Sequence, residues 1–511
     1  MSINLRSVLI SDPVDESCGA LLASYGVPVT TKYKLPKDEL IQEIQKHDGL
    51  IVRSETKVTA EILAAASNLR VVGRAGTGVD NIDLDAATRK GIVVLNTPGG
   101  NSISACELTC ALISSLARNV SQAAASMKEG RWDRKLYSGF ELSDKTLAVL
   151  GFGRIGREVA HRMQSFGMKI VCFDPVLSQE AAASVGALKL NLDEIWPIAD
   201  YITVHTPLIP QTRNLINATT LSKCKKGVKI INVARGGIVD EEALLNSIKS
   251  GHCGGAALDV FMEEPPKNKI TLELIQHPSV IATPHLGAST AEAQQRVAVE
   301  IAEQFLAISG KTDKYSVTGI VNAPILSAAM SGDNGPWIEL SKKLGKLAAR
   351  FVKKNINAKI ESHIVGDELK NKKFIHTAVL VGVLSGQTKN GLNLVNASTL
   401  AKDIGIDIKE LYVNGDNNYV VVKIGQYEIR GTVRNNESYL LSIDDNVFNN
   451  GIVLRDFISI YHGNGPQDLA TIVNEFTAKN ININSFNASG NWLAIETNQD
   501  VDIIIPGITS Y

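Results

Sequence analysis

The chain has 511 residues, too many for one hydrophobic core, and ordinary domain sizes predict two to four domains. Hydrophobic residues make up 44% and charged residues 21%, the balance of a soluble globular protein. Its 52 basic and 53 acidic side chains leave a net charge of −1, which excludes a general pull toward nucleic acid or an anionic membrane; any basic site is local and sized for a small anion.

The opening MSINLRSVLISDPVDES has no long apolar core with a cleavage site, so SVLIS predicts a buried strand and not a secretion signal. No stretch approaches the roughly 18 uninterrupted apolar residues of a membrane span. Apolar β-branched runs then alternate with helical patterns: SVLIS (7–11), GLIVR (49–53), LRVVG (69–73) and IVVLN (92–96). That alternation predicts a parallel sheet with helices on both faces. NSISACELTCALISSLARNV follows, with Ser104 and Glu107 as an expected capping box before a long helix.

A second series begins at TLAVLG (146–151) and continues through KIVCFD (169–174), YITVHTP (201–207), VKIINVA (228–234), GGAALDV (254–260) and SVIATPH (279–285). Six strands with helical connections predict a doubly wound dinucleotide domain. An amphipathic helix over 289–309 is expected to carry the chain back onto the N-terminal sheet, making the second series an insertion and the first hundred residues the other jaw of a cleft. Beyond about residue 316 the texture changes. A helix is expected over 337–352 and a strand over 419–425, and 450–511 reads as a small α+β unit with a strand at LRDFISIY, a helix at PQDLATIVNEFTAKN and strands at ININSFNAS and NWLAIET. The fold class is therefore α/β, with two doubly wound parallel-sheet domains and a C-terminal α+β region.

LGFGRIGREVA (150–160) carries glycines at 151, 153 and 156. Gly151 makes a tight turn, Gly153 lets backbone N–H groups approach a pyrophosphate, and Gly156 lets helix pack on strand. Asp174 closes the next strand, where a carboxylate accepts from the ribose hydroxyls and repels a 2′-phosphate, so the cofactor expected is NAD and not NADP.

Arg235, Glu264 and His285 end later strands, 29 and 21 residues apart, about one strand–helix unit each. Singly they read as a loop arginine, a helix-start carboxylate and a strand-end histidine. Jointly, after a nucleotide loop, they suit oxidation of a 2-hydroxy acid. A guanidinium holds a carboxylate bidentately, an imidazole takes the hydroxyl proton, and a nearby carboxylate stabilises the imidazolium. Cys18, Cys106, Cys110, Cys172, Cys224 and Cys253 are scattered, with no His or Cys cluster to complete a metal set; free thiols, a reducing cytoplasm and no metal are expected.

The chain resembles the D-2-hydroxy acid dehydrogenase family in its long form, over nearly its whole length. The matching stretches are VVGRAGTGVDNID, NTPGGNSISACEL, LGFGRIGREVA, VHTPL, INVARGGIVDE, ALDVFMEEPP and TPHLGAST. The resemblance implies a catalytic set at Arg235, Glu264 and His285, and NAD contacts at Arg154, Ile155, Asp174, Thr206, Ala234, Asp259, Gly287 and Ala288. It implies oxidation of 3-phosphoglycerate to 3-phosphohydroxypyruvate at the entry to serine synthesis. Arg53 and Arg74 are expected on the substrate phosphate, Arg134 there as well from a neighbouring subunit, and Asn101 and Ser102 beside the substrate. It implies a substrate-binding domain in two segments (1–98 and 287–316), a nucleotide-binding Rossmann domain (99–286), an intervening domain (317–447) and an ACT-like regulatory domain (448–511). In the last, His462, Asn464 and Asn482 match effector positions, Gln467 replaces the usual glycine, and a second helix is expected to be missing. A cytoplasmic homodimer or homotetramer is implied, with neither nucleic-acid nor membrane partners. Two other readings stay open: a reductase of another 2-oxo acid such as glyoxylate or 2-oxoglutarate, and an NAD-sensing scaffold like the family's corepressors.

Overall fold

The computed structural model describes residues 3–352, 359–387, 391–455, 457–463, 466–499 and 509–510. Its contacts divide the chain into two units, Met1–Asn96 with Ile301–Tyr511, and Thr97–Glu300.

The first unit opens with strands β1 (Val8–Ile10), β2 (Val29–Thr31), β3 (Gly49–Val52), β4 (Val71–Arg74) and β5 (Val93–Leu95), paired in parallel in the order β2-β1-β3-β4-β5. Strand β2 was not expected: its three residues are half-buried or exposed at a sheet edge, so no apolar run marks it. Helix Ala291–Ile308 spans the division between the units. Beyond Ile301 it lies on this sheet, where the Phe305 ring and Ile301 occupy the space that a Cβ on Gly73 would need. The buried Gln304 amide ties the crossover together. It donates to the Asn96 carbonyl at 2.8 Å and accepts from the Gly319 N–H at 2.7 Å.

The second unit contains β6 (Thr146–Leu150), β7 (Lys169–Phe173), β8 (Leu188–Lys189), β9 (Tyr201–Val204), β10 (Val228–Asn232), β11 (Cys253–Leu258) and β12 (Val280–Ala282). All pair in parallel, in the order β12-β11-β10-β9-β6-β7-β8. Ala148 and Leu150 point into one core and Leu147 and Val149 into the other, which is why β6 reads as an apolar run from Leu147 to Leu150. Strand β8, two residues long and little buried, left no such signal. The expected capping box at Ser104 and Glu107 is not formed. The helix begins earlier, as Ser102–Arg118, and the Ser104 hydroxyl instead meets that of Thr290 at 2.8 Å.

The C-terminal region of the first unit forms a six-stranded sheet from β13 (Ile360–Val365), β14 (Ile408–Val413), β15 (Tyr419–Ile424), β16 (Tyr427–Arg434), β17 (Glu437–Ile443) and β18 (Asn446–Val453), ordered β14-β13-β15-β16-β17-β18. Strand β18 runs across the expected 447/448 boundary, because its pairing with β17 extends to Val453. Helices Gly335–Phe351 and Phe374–Leu384 cross with Gly345 against the Val379 carbonyl and Gly382 against that of Lys342, an approach that leaves no room for a Cβ on either. This region grips the first sheet through the helix Leu84–Arg89. Asn393 Nδ2 donates to the Gly91 carbonyl at 2.8 Å, Asn396 Nδ2 to the Arg89 carbonyl at 3.2 Å, and Arg89 pairs with Asp403.

The last module has β19 (Ile458–His462), helix Pro466–Ala478, β20 (Ile483–Ser489), β21 (Trp492–Thr497) and β22 (Thr509–Ser510), ordered β20-β21-β19-β22. Strand β19 starts four residues later than the expected LRDFISIY run. The buried Trp492 stacks toward Phe351 with ring centroids 5.2 Å apart. The expected loss of a second helix falls on residues 500–508, outside the described residues.

Two outcomes are expected. Gly73→Ala forces a methyl into the Phe305 ring, lowering stability by about 1–3 kcal/mol in thermal melts, and Phe305→Leu in that background recovers part of it. Buried His376, with Nδ1 2.8 Å from the Ser362 hydroxyl, is pushed by burial down to about 4. The unfolded chain protonates it from about pH 6.5, so its contribution is complete above that pH and is lost as pH falls toward 4, roughly 3 kcal/mol in all. The drop in melting temperature between pH 7 and 4.5 shrinks in His376→Gln.

Candidate active site

Every candidate cofactor and catalytic position of the second unit lies at the C-terminal ends of its parallel strands. The strand order reverses between β6 and β9, the place where such sheets leave a crevice. Gly151 takes φ +92°, and a Cβ there would overlap the His205 carbonyl; Gly156 packs on the Gly151 carbonyl and Val149. Around Gly153 a Cβ would meet nothing within 4 Å, which is the open space a pyrophosphate needs. Helix Arg154–Gln164 starts there with no side chain capping it, so its N-terminal dipole faces that space. Arg154 is exposed and Ile155 half-buried at its first turn.

Asp174 ends β7. One of its oxygens accepts from the Phe152 N–H at 2.9 Å and the other from the Val176 N–H at 3.0 Å, which fixes the carboxylate beside the glycine loop with lone pairs to spare. Thr206, after β9, has a buried hydroxyl without a hydrogen-bond partner among the described residues, a polar atom suited to a bound ligand. These residues fit a dinucleotide. Burial pushes the neighbouring His205 imidazole down to about 4, leaving it neutral near pH 7.

Arg235 follows β10 in a bend whose Ala234 N–H is held by Asn232 Oδ1 at 3.0 Å. Its Nη1 donates to the Ala234 carbonyl at 2.7 Å, and Gly236 touches the Phe261 carbonyl so closely that a Cβ there has no room. The Glu264 carboxylate accepts from the Phe261 N–H through Oε1 at 3.0 Å, and its Oε2 lies 2.6 Å from His285 Nδ1. Burial pushes the Glu264 pKa up. The His285 and Phe261 hydrogen bonds and the nearby Arg235 charge outweigh it, and the net position is below the usual carboxylate value. The structure thus brings Arg235, Glu264 and His285 together, and the His285 and Glu264 side chains stay 48% and 36% exposed, open to a substrate.

His285 adopts φ +57°, a left-handed conformation that costs a side-chain-bearing residue about 1–2 kcal/mol. Asp259 sustains it. Its fully buried carboxylate accepts from the Thr283 hydroxyl at 2.6 Å, the Leu286 N–H at 2.7 Å and the Gly287 N–H at 2.8 Å. Ala288 lies in the next turn, half-buried. Sequence reasoning treated Asp259 as a cofactor contact and passed over Thr283 and Asn232. A polar residue closing a strand directly after the apolar pair Ile230 and Ile231 is the signal that marks Asn232.

In the first unit, Arg53 follows β3 and Arg74 ends the neighbouring β4, so both cations stand at one sheet edge. The buried Asp12 accepts from the Arg53 and Thr56 N–H groups, while Arg74 Nε donates to the Arg53 carbonyl at 3.1 Å. Asn101 and Ser102 begin helix Ser102–Arg118 of the second unit, and Arg134 lies exposed in that unit. In the last module, the His462 ring lies 4.5 Å from that of Trp492, centroid to centroid, and Asn482 is exposed before β20; Asn464 falls outside the described residues. No group of three or more metal-ligating side chains, and no helix long and apolar enough to cross a membrane, occurs among the described residues.

Removing the Asp259 carboxylate leaves two backbone donors and a strained loop without an acceptor. Asp259→Ala is expected to cost about 3 kcal/mol or more in thermal melts, with turnover falling well below the fraction that stays folded.

Residues 110–287 match the NAD-binding domain model of the D-isomer-specific 2-hydroxyacid dehydrogenases, and residues 334–443 match the intervening domain of D-3-phosphoglycerate dehydrogenase. The chain is 54% identical to a Homo sapiens D-3-phosphoglycerate dehydrogenase over 408 residues, 79% of this chain and 75% of the relative. It is 41% identical to that of Methanocaldococcus jannaschii over 446 residues, 86% of this chain and 83% of the relative. Among solved structures, D-lactate dehydrogenase from Aquifex aeolicus in complex with NAD and lactic acid aligns with a TM-score of 0.54 at 28% identity, covering 62% of this chain and all of that one. Taken with the assembled site, these matches show that the chain belongs to the D-3-phosphoglycerate dehydrogenase family, NAD-dependent enzymes of the D-isomer-specific 2-hydroxyacid dehydrogenase fold.

Proposed function

We propose that the chain oxidises 3-phospho-D-glycerate to 3-phosphohydroxypyruvate, the first step of L-serine synthesis. The observation that carries this reading is the 2.6 Å His285–Glu264 pair with the Arg235 charge beside it. NAD supplies the hydride acceptor. Arg235 takes the substrate carboxylate in its planar fork and orients the alcohol carbon. With Nδ1–H directed at Glu264, His285 presents Nε2 to the substrate hydroxyl and accepts its proton as the hydride leaves carbon; the carboxylate stabilises the imidazolium that results. Because the Glu264 pKa lies below the usual value, the pair keeps its negative partner throughout the neutral and alkaline range, and that partner is lost only as pH falls below the usual carboxylate range.

Asp174 supports NAD over NADP, since a carboxylate already fixed by two N–H groups repels a 2′-phosphate. Arg53 and Arg74 are the proposed phosphate cations, with Asn101 and Ser102 assigned to the substrate as well. Trp132, Leu136 and Phe140 are 78%, 66% and 61% exposed, which supports association into a homodimer or homotetramer and a role for Arg134 toward a neighbouring subunit. Free cysteines, five of the six buried, support a cytoplasmic setting.

His285→Ala is expected to lower kcat about 10²- to 10⁴-fold with NADH affinity nearly unchanged, and Arg235→Lys to raise KM for the hydroxy acid. Turnover on a panel of 3-phosphoglycerate, glycerate, glyoxylate and 2-oxoglutarate tests the substrate. Equal rates on phosphorylated and plain acids, or an unaffected Arg74→Ala variant, would remove the phosphate from the reading.

A further inference from the structure

We infer that Asn232 is the positioning residue for Arg235, acting on substrate binding through the bend that presents the guanidinium. This rests on the reading of Arg235 as the carboxylate clamp. Asn232 ends β10 and is 1% exposed, directly after the fully buried Ile230 and Ile231. Its side-chain amide is used at both ends within one bend: Oδ1 accepts from the Ala234 N–H at 3.0 Å, and Nδ2 donates to the Arg235 carbonyl at 2.8 Å. The residue before Arg235 and Arg235 itself are thereby fixed by one planar group. The Asn232 carbonyl accepts from the Asp259 N–H at 2.9 Å, which ties the same residue to the strand whose carboxylate holds the His285 turn. The guanidinium folds back on the Ala234 carbonyl at 2.7 Å, so the bend sets the starting point of the side chain as well as of the backbone. An amide is required there. A carboxylate keeps the acceptor but turns an oxygen toward the Arg235 carbonyl, and an alanine takes both side-chain partners away from the Ala234 N–H and the Arg235 C=O.

The test uses the full-length enzyme with Asn232→Asp, Asn232→Ala and Arg235→Lys, singly and combined. The near-isosteric Asn232→Asp serves where Asn232→Ala folds poorly. Asn232→Asp is expected to raise KM for 3-phosphoglycerate about tenfold while the NADH dissociation constant, read by fluorescence titration, moves less than about threefold. In the Arg235→Lys background the same substitution adds less than about threefold, since both changes act on one interaction. Losses that multiply, or a wild-type KM in Asn232→Asp, overturn the inference while leaving the role of Arg235 intact. A wild-type KM in Arg235→Lys overturns the clamp reading itself.

Discussion

A carboxylate taken wholly out of water must find donors, and Asp259 finds three in one turn. That requirement governs the site. The turn after β12 closes around the Asp259 oxygens, and closing it forces His285 into a left-handed conformation that an isolated chain would avoid. Strain at the histidine and charge burial at the aspartate are thus two sides of one arrangement, each accepted because the other is present. The imidazole that results points at Glu264, which is itself held from behind by the Phe261 N–H.

The division of labour follows burial. The groups assigned to the chemistry, His285 and Glu264, are about half-exposed, as groups meeting a substrate must be. The groups behind them, Asp259 under the His285 turn and Asn232 in the bend at Arg235, are sealed inside the sheet edge, where their hydrogen bonds face little competition from water. The nucleotide side is built the same way. Asp174 is fixed by two N–H groups, whereas the space at Gly153 is left open.

The parallel sheets were legible because strands covered on both faces must be mainly apolar; β1, β3 to β7 and β9 to β12 each read as such a run, though Lys229 interrupts β10. Strands β2 and β8 were not, since a short edge strand buries too little to leave a pattern. The glycine turn after β6 and the nearness of Arg235, Glu264 and His285 were legible from residue type and position at strand ends. The pairing of Asp259 with Thr283 was not, because the two come from different strands, and the local bonds of the Asn232 amide depend on the shape of the bend after β10. At Ser104 local propensity misled: the hydroxyl that looks like a cap is inside the helix and bonds to Thr290, 186 residues away.

The C-terminal region holds the first sheet by taking the Arg89 carbonyl at the end of helix Leu84–Arg89 into the Asn396 amide and the Gly91 carbonyl just beyond it into the Asn393 amide, with Asp403 on Arg89. A helix end that is finished by side chains from another part of the chain is not a self-sufficient surface. The Aquifex aeolicus structure aligns over its whole length with only 62% of this chain, so a fold of that size can do without the additional length. For domain grafting between long and short relatives, the helix and the two asparagines are therefore one cassette: a tail moved to a new host keeps the bond from Asn396 to the Gly391 carbonyl but loses those to Arg89 and Gly91 unless the matching helix terminus travels with it.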